Sequence, residues 1–225
     1  MTYFMMGISG IATFLLLSLR RKKYGISWTT VIIVLSVVGI VGYYGAAFST
    51  YLSDGVWPGI RFYGKVLFVT ISLFVTSKIL KRNPAEVMDY YAPVDIFALG
   101  IMKINCMRFG CCAGIEMNLA DGSSFIFPSQ IAELLVAFLI FAVLITLECI
   151  GKCNHYRYSF YLISYGLTRF VFDILREDRG TTFSFSNLNI SVAQIFCVII
   201  VFLGVVCIYS VRQEKAKNEN FPSCM

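Results

Sequence analysis

The sequence predicts an all-α polytopic membrane protein of about seven transmembrane helices, with the N-terminus outside and the C-terminus cytoplasmic. Three observations lead there. Hydrophobic residues make up 58% and charged residues 14% of the 225-residue chain, and the mean hydropathy is +0.75; a soluble domain of this length could not hide so much apolar surface. The apolar residues fall into seven segments close to the ~20 residues that a bilayer crossing needs. Basic residues concentrate in every second connection between those segments.

The predicted spans run near 4–19, 28–50, 59–80, 92–108, 129–149, 157–175 and 190–211. In the first, the apolar run from Met5 to Leu19 is followed, not preceded, by Arg20, Arg21, Lys22 and Lys23. That order belongs to a helix anchored by its cytoplasmic end, not to a cleavable signal peptide. Lys78, Lys81 and Arg82 follow the third span, Lys152 and Arg157 the fifth, and Arg212, Lys215 and Lys217 the seventh, whereas the connection Tyr51 to Pro58 has no basic residue. Cytoplasmic loops are enriched in Lys and Arg, so these twelve sites place three connections and the tail on the cytoplasmic side. No repeat or linker divides the chain: residues 1–211 read as one transmembrane domain and 212–225 as a short cytoplasmic tail. The net charge of +6 is then a topological signal with an affinity for anionic headgroups, and it is not the basic face of a nucleic-acid-binding protein.

Seven basic residues remain outside that pattern: Arg61, Lys65, Lys103, Arg108, Arg169, Arg176 and Arg179. All fall within a span or near its outer end. A charge in the bilayer costs at least ~2.5–3.5 kcal/mol and therefore faces a bundle interior or a polar cavity. Arg176 and Arg179 can alternatively snorkel to the interface. Acidic residues at similar depth are fewer, namely Asp95, Glu116, Glu133 and Asp173, and Arg169 with Asp173 shares one helix face. The surplus of cations points to an anionic ligand such as a phosphate, which Arg matches in bidentate fashion. The glycines Gly42, Gly45, Gly64, Gly100, Gly110 and Gly114 permit close helix approach or a break, and the run Phe109 to Gly114 can line a cavity beside the polar loop Met117 to Phe127. The eight cysteines read as small hydrophobes without a disulfide framework, and Cys149, Cys153 and His155 lack an established metal-ligand spacing.

Four stretches and a fifth shorter one resemble the prolipoprotein diacylglyceryl transferase family, bacterial membrane enzymes with seven helices. Gly59-Ile60-Arg61-Phe62-Tyr63-Gly64 is similar to the aromatic or His-Gly element at the start of the third span. Asp95 through Gly114 resembles the Gly-Arg-x-Gly signature followed by Gly-Cys-Cys, with Lys103 in place of the Arg, Met102 and Asn105 in place of its glycines, Cys106 after them, and Cys111 where a Glu is usual. Pro128-Ser129-Gln130-x-x-Glu133 and Tyr165-Gly166-x-x-Arg169-Phe170-x-x-Asp173-x-x-Arg176 resemble the elements of the fifth and sixth spans, and Ser191-x-Ala193-Gln194 the start of the last.

The resemblance implies transfer of a diacylglyceryl group from phosphatidylglycerol to the lipobox cysteine of prolipoproteins in the bacterial plasma membrane, with neither cofactor nor metal. It implies catalytic roles for Tyr63, Lys103 and Arg169. Arg61, Gly64, Lys65, Asn105, Gly110, Gln130, Glu133, Asp173 and Arg176 are then substrate-binding, with Gln130 and Asn105 orienting headgroup oxygens, and Glu133 and Asp173 fixing the basic side chains. The proton acceptor stays open between Tyr63 beside Lys65 and an acceptor thiol drawn to thiolate by the positive cavity. Two other readings are a diverged family member that binds lipid or uses another acceptor, and a small lipid transporter, for which the paired halves typical of transporters are not visible.

Overall fold

The computed structural model describes residues 2–57, 61–119, 123–177, 179–185 and 188–219. They form seven α-helices: α1 (Thr2–Arg20), α2 (Trp28–Asp54), α3 (Phe62–Ile79), α4 (Pro84–Phe109), α5 (Ser129–Cys149), α6 (Arg157–Ile174) and α7 (Val192–Glu219). Two antiparallel hairpins, β1 (Glu116–Asn118) with β2 (Ser124–Ile126) and β3 (Thr182–Phe185) with β4 (Leu188–Ser191), fill the connections before α5 and α7.

Local chemistry sets the helix ends. The Ser27 hydroxyl accepts the Thr30 N–H at the start of α2, and Gly55 closes that helix with a left-handed φ of 69°. Asn83 caps α4 through the Ala85 N–H, Pro84 occupies the first turn where its missing donor is not needed, and Gly110 ends the helix at φ 63°. The helix so defined begins at Pro84, well before the expected start near 92. Likewise α7 continues to Glu219, past the expected end at 211 and into the polar tail.

Among the described residues, four helices are long and apolar enough to cross a membrane: α2, α3, α5 and α7 through Glu214, with a shorter apolar run over Gly7–Arg20. The chain is a membrane protein by this measure. Large apolar side chains such as Ile40, Leu135, Leu139, Val198 and Phe202 stand exposed on the outside of the bundle, where a water-soluble protein would carry polar groups. The most buried charge sits on α4 and on the inward face of α6, whose other face exposes Phe160, Leu167, Val171 and Ile174. Helix α4 packs against α1, α3, α5 and α6, and buries Asp89, Asp95 and Lys103; α6 buries Arg157, Arg169 and Asp173. The charged side chains of both helices thus face the bundle interior.

Helices α2 and α3 approach closely at Gly64. A Cβ there would collide with the Ser49 hydroxyl and the Gly45 carbonyl, and one at Gly45 would meet the Phe68 ring at 2.8–2.9 Å. Small residues at such a crossing let backbones pack where lipid gives no hydrophobic drive.

At one end of the bundle the basic loops gather around buried carboxylates. Arg20 pairs with Glu148 and donates to the Tyr90 carbonyl. Lys23 Nζ donates to the Glu148 carbonyl at 2.7 Å, and Arg82 donates to the Gly25 carbonyl. Asp89 accepts from Arg157 Nε at 3.2 Å and from the His155 and Tyr158 backbone N–H groups at 2.7 and 2.8 Å. Arg20 and Arg157 therefore do more than the orienting role their loops suggested. They clamp α1, α4, α5 and α6 together at this end.

Candidate active site

The opposite end carries both hairpins and a cavity of about 350 Å³. Its walls come from α2 (Thr50, Asp54), the start of α3 (Arg61, Phe62), the end of α4 (Leu99, Met102, Lys103, Asn105, Cys106), the segment after it (Cys111, Cys112), α5 (Glu133) and α6 with its end (Tyr165, Arg169, Arg176). Four cations thus face two carboxylates across one space.

Glu133 is the hub. One carboxylate oxygen pairs with Lys103 Nζ and the other accepts from Arg169 Nη1 at 3.1 Å, all three side chains being at most 8% exposed. Asp173 lies 3.8 Å from Arg169 Nη2, one helical turn along. Arg61 and Asp54 form a bidentate pair at 2.9 and 2.7 Å. Arg176 differs from these. It is 4% exposed, its Nε has no hydrogen-bond partner, and no carboxylate lies within ion-pair distance of it among the described residues. The Tyr165 hydroxyl, buried on the cavity wall, is likewise without a partner.

The segment after α4 is a folded wall. Gly110 and then Cys112 take left-handed φ values of 63° and 66°, a strain of about 1–2 kcal/mol for the cysteine. Its neighbours hold that conformation. Ser129 Oγ donates to the Cys112 carbonyl, Gln130 Nε2 donates to the Cys111 carbonyl at 2.9 Å, and Glu177 N–H donates to the Ala113 carbonyl at 3.2 Å. The Ile115 N–H donates to the Leu175 carbonyl at 3.0 Å and the Phe127 N–H to the Ile115 carbonyl at 3.0 Å. Gly114 sits where a Cβ would run into the Phe127 carbonyl, which explains the glycine. A hydrogen bond from Cys106, which keeps its own proton as the donor, holds the Cys112 thiol below its ordinary value with Arg176 and Lys103 nearby, against the opposing effect of burial.

A family model described as prolipoprotein diacylglyceryl transferase matches residues 1–210. The chain belongs to the prolipoprotein diacylglyceryl transferase family. Relatives include the phosphatidylglycerol–prolipoprotein diacylglyceryl transferase 2 of Clostridium perfringens, 25% identical over 173 residues, which span 72% of this chain and 65% of that protein. The transferase of Clostridium tetani is 26% identical over 224 residues, covering 88% of this chain and 90% of its own length. That of Streptococcus equi is 27% identical over 202 residues, 80% of this chain and 76% of that protein. The chain thus matches less than two thirds of the length of the Clostridium perfringens relative.

The family elements converge on the cavity unevenly. Lys103, Asn105, Glu133, Arg169, Arg61 and Arg176 all line it, although Lys103 and Arg169 come from different helices. The others stand behind it. Tyr63 is 1% exposed and packs on Phe196 at 5.1 Å between ring centroids, with its hydroxyl unpartnered; it is not on the cavity wall. Lys65 is bound to Asp95 at 2.6 Å and lies over the Phe62 ring, and Asp95 also accepts from the Tyr91 and Tyr161 hydroxyls at 2.8 and 2.7 Å. Its charge is matched within the helix core, so it offers nothing to an anion in the cavity. Gly64 acts at the α2–α3 crossing and Gly110 at the end of α4. Gln130 braces the Cys111 segment.

Asp173 accepts from Ser191 Oγ at 2.5 Å, while Ser191 Oγ accepts from the Gln194 N–H at 3.1 Å and caps α7. Gln194 Oε1 in turn accepts from the Ser191 N–H and Arg179. The Ser191-x-Ala193-Gln194 element is therefore a cap that fixes the α6–α7 connection beneath Arg169. Arg176, which from sequence could have snorkelled to the interface, is instead buried in the cavity. Sequence reasoning missed Tyr165 as a wall residue, though it opens the sixth-span element. It also missed Thr50, Asp54 and the grouping of Cys106, Cys111 and Cys112, none of which shows a distinctive spacing.

Proposed function

We propose that the protein transfers a diacylglyceryl group from phosphatidylglycerol to the lipobox cysteine thiol of a prolipoprotein, and that it does so in the bacterial plasma membrane. The observation that carries this reading is the cationic excess of the cavity. Of its four wall cations, Arg61 is matched by Asp54, Lys103 and Arg169 meet at Glu133 with Asp173 a further 3.8 Å from Arg169, and Arg176 alone has no carboxylate within ion-pair distance among the described residues. A space of that kind accepts a phosphodiester and stabilises the second negative charge that develops as glycerol phosphate leaves.

In this reading Arg176, Arg169 and Lys103 hold the phosphate oxygens, and Glu133 keeps Lys103 and Arg169 in position. Asn105, at the end of α4, orients the glycerol hydroxyls. The acceptor thiol gives its proton to water, its thiolate sulfur attacks the diacylglyceryl carbon, a carbon–sulfur bond forms, and the carbon–oxygen bond to phosphate breaks with its electron pair going to the leaving group. Tyr63, Gly64, Lys65, Gly110, Gln130 and Asp173 support the site from behind. All seven helices cross the bilayer, with the cavity towards the outer side, the N-terminus outside and the tail of α7 in the cytoplasm. The basic loops gathered at the opposite end support this orientation.

Incubating the purified protein with labelled phosphatidylglycerol and a lipobox peptide tests the reading by mass spectrometry. The expected result is a peptide heavier by one diacylglyceryl group with stoichiometric glycerol phosphate. A peptide of unchanged mass, with wild-type protein that is folded and binds phosphatidylglycerol, overturns it.

A further inference from the structure

The sulfur atoms of Cys106, Cys111 and Cys112 lie within 4.8 Å of one another, the only such group of ligand side chains among the described residues. All three residues line the cavity. Cys111 is exposed and the other two are half-buried, unlike Cys197, which packs as a hydrophobe in the core. The sequence reading treated these thiols as small apolar filler, and the polar wall on which they stand is a poor place for filler. Two sit in the segment that Ser129, Gln130 and Glu177 brace, and Cys106 reaches it from the last turn of α4.

Among the described residues, the wall offers no free carboxylate or imidazole as proton acceptor. Asp54 and Glu133 are both held in ion pairs, and the only histidine of the chain, His155, lies at the other end of the bundle. Thiol alkylation needs a thiolate.

From this juxtaposition we infer that Cys106, Cys111 and Cys112 bind one thiophilic cation of the zinc class, whose fourth coordination position opens into the cavity and takes the acceptor cysteine as a thiolate. The inference rests on the transferase reading of the same cavity. Zinc-type ions take four ligands in tetrahedral geometry with metal–sulfur bonds of about 2.3 Å, and three protein ligands leave one position for substrate. Three thiolates and a dication carry one net negative charge, and the acceptor thiolate adds a second; Arg176 and Lys103, both close to Cys112, are then shared between this centre and the phosphate. On coordination the acceptor thiol gives its proton to water. The bound sulfur then bonds to the diacylglyceryl carbon as glycerol phosphate departs with the carbon–oxygen electron pair, and the neutral thioether, a weak ligand, dissociates. The ion is unchanged over the cycle.

The test uses the full chain in detergent and cadmium as a spectroscopic probe. Wild-type protein is expected to bind one Cd²⁺ with ultraviolet thiolate-to-metal charge-transfer absorption. The triple variant Cys106→Ser/Cys111→Ser/Cys112→Ser is expected to lose that absorption, and Cys149→Ser/Cys153→Ser to retain it. Adding a lipobox peptide should raise the absorption by one further thiolate, and a peptide with Ser for Cys should leave it unchanged. With Zn²⁺, chelation should lower transferase turnover by about 10²-fold, the size of a lost proton-transfer group, and zinc should restore it. Absorption that persists in the triple variant overturns the inference, as does absorption indifferent to the peptide thiol. Full turnover by the chelated protein also overturns it while leaving the transferase reading intact. Failure to form product with or without zinc, alongside the expected spectra, counts against the transferase reading and not against the metal site.

Discussion

Glu133 and Arg176 illustrate how burial divides structural from functional charge. Removing Glu133 leaves Lys103 and Arg169 buried with a lost partner, and breaking such a pair costs about 3–5 kcal/mol. Glu133→Gln is therefore expected to lower the thermal midpoint in detergent sharply, with turnover falling alongside. Arg176 gives the contrary pattern because it has no carboxylate partner to strand. Arg176→Gln should keep or raise the midpoint, yet raise the KM for phosphatidylglycerol at least tenfold, about 1.4 kcal/mol of lost binding; unchanged kinetics would show that the guanidinium holds no phosphate. Arg176→Lys should recover part of the affinity and not the bidentate geometry. That Lys103 and Arg169 face the bundle interior was legible in the sequence because each interrupts an apolar run. The matching of Lys65 by Asp95 was not, since the two lie on different helices with no local spacing to link them, and for the same reason Glu133 could not be assigned as the shared partner of both cations.

Helix crossings carry the next layer of control. Where α2 meets α3, Gly64 has no room for a Cβ between the Ser49 hydroxyl and the Gly45 carbonyl. Gly64→Ala is expected to cost roughly 1–3 kcal/mol through overpacking, seen as a lower thermal midpoint, while the KM for phosphatidylglycerol of the protein that remains folded stays near wild type. A selective rise in KM at full stability would instead return Gly64 to the substrate. The extents of α2, α3, α5 and α6 follow closely from apolar runs and their caps. The first turns of α4 did not, because Glu86 and Asp89 look like loop residues until Arg157 and two backbone N–H groups are seen around Asp89. Both hairpins escaped notice too, since strands of three or four residues are too short for an alternating pattern to stand out.

Taken as a whole molecule, the bundle separates its charges by end. Arg20, Lys23, Arg82 and Arg157 gather with Glu148 and Asp89 at one end, and Arg61, Lys103, Arg169 and Arg176 surround the cavity at the other. The first group lies in loops that follow the positive-inside pattern, so the cavity should open to the outer side of the membrane, where a secreted acceptor and outer-leaflet lipid meet. Native chemistry offers a direct check. Cys153 is exposed in the loop between α5 and α6, and Ser123 is exposed in the connection that carries β1 and β2. In a variant carrying Ser123→Cys as its only cysteine, a membrane-impermeant maleimide applied to intact cells should label the protein. In a variant retaining only Cys153, labelling should require permeabilised membranes. An inverted orientation exchanges the two results, and failure of either α6 or α7 alone to cross would put the tail beyond Arg212 on the side opposite Cys153. The first outcome would move the cavity to the inner leaflet and remove its access to an extracytoplasmic acceptor, so orientation and proposed chemistry stand or fall together at this scale.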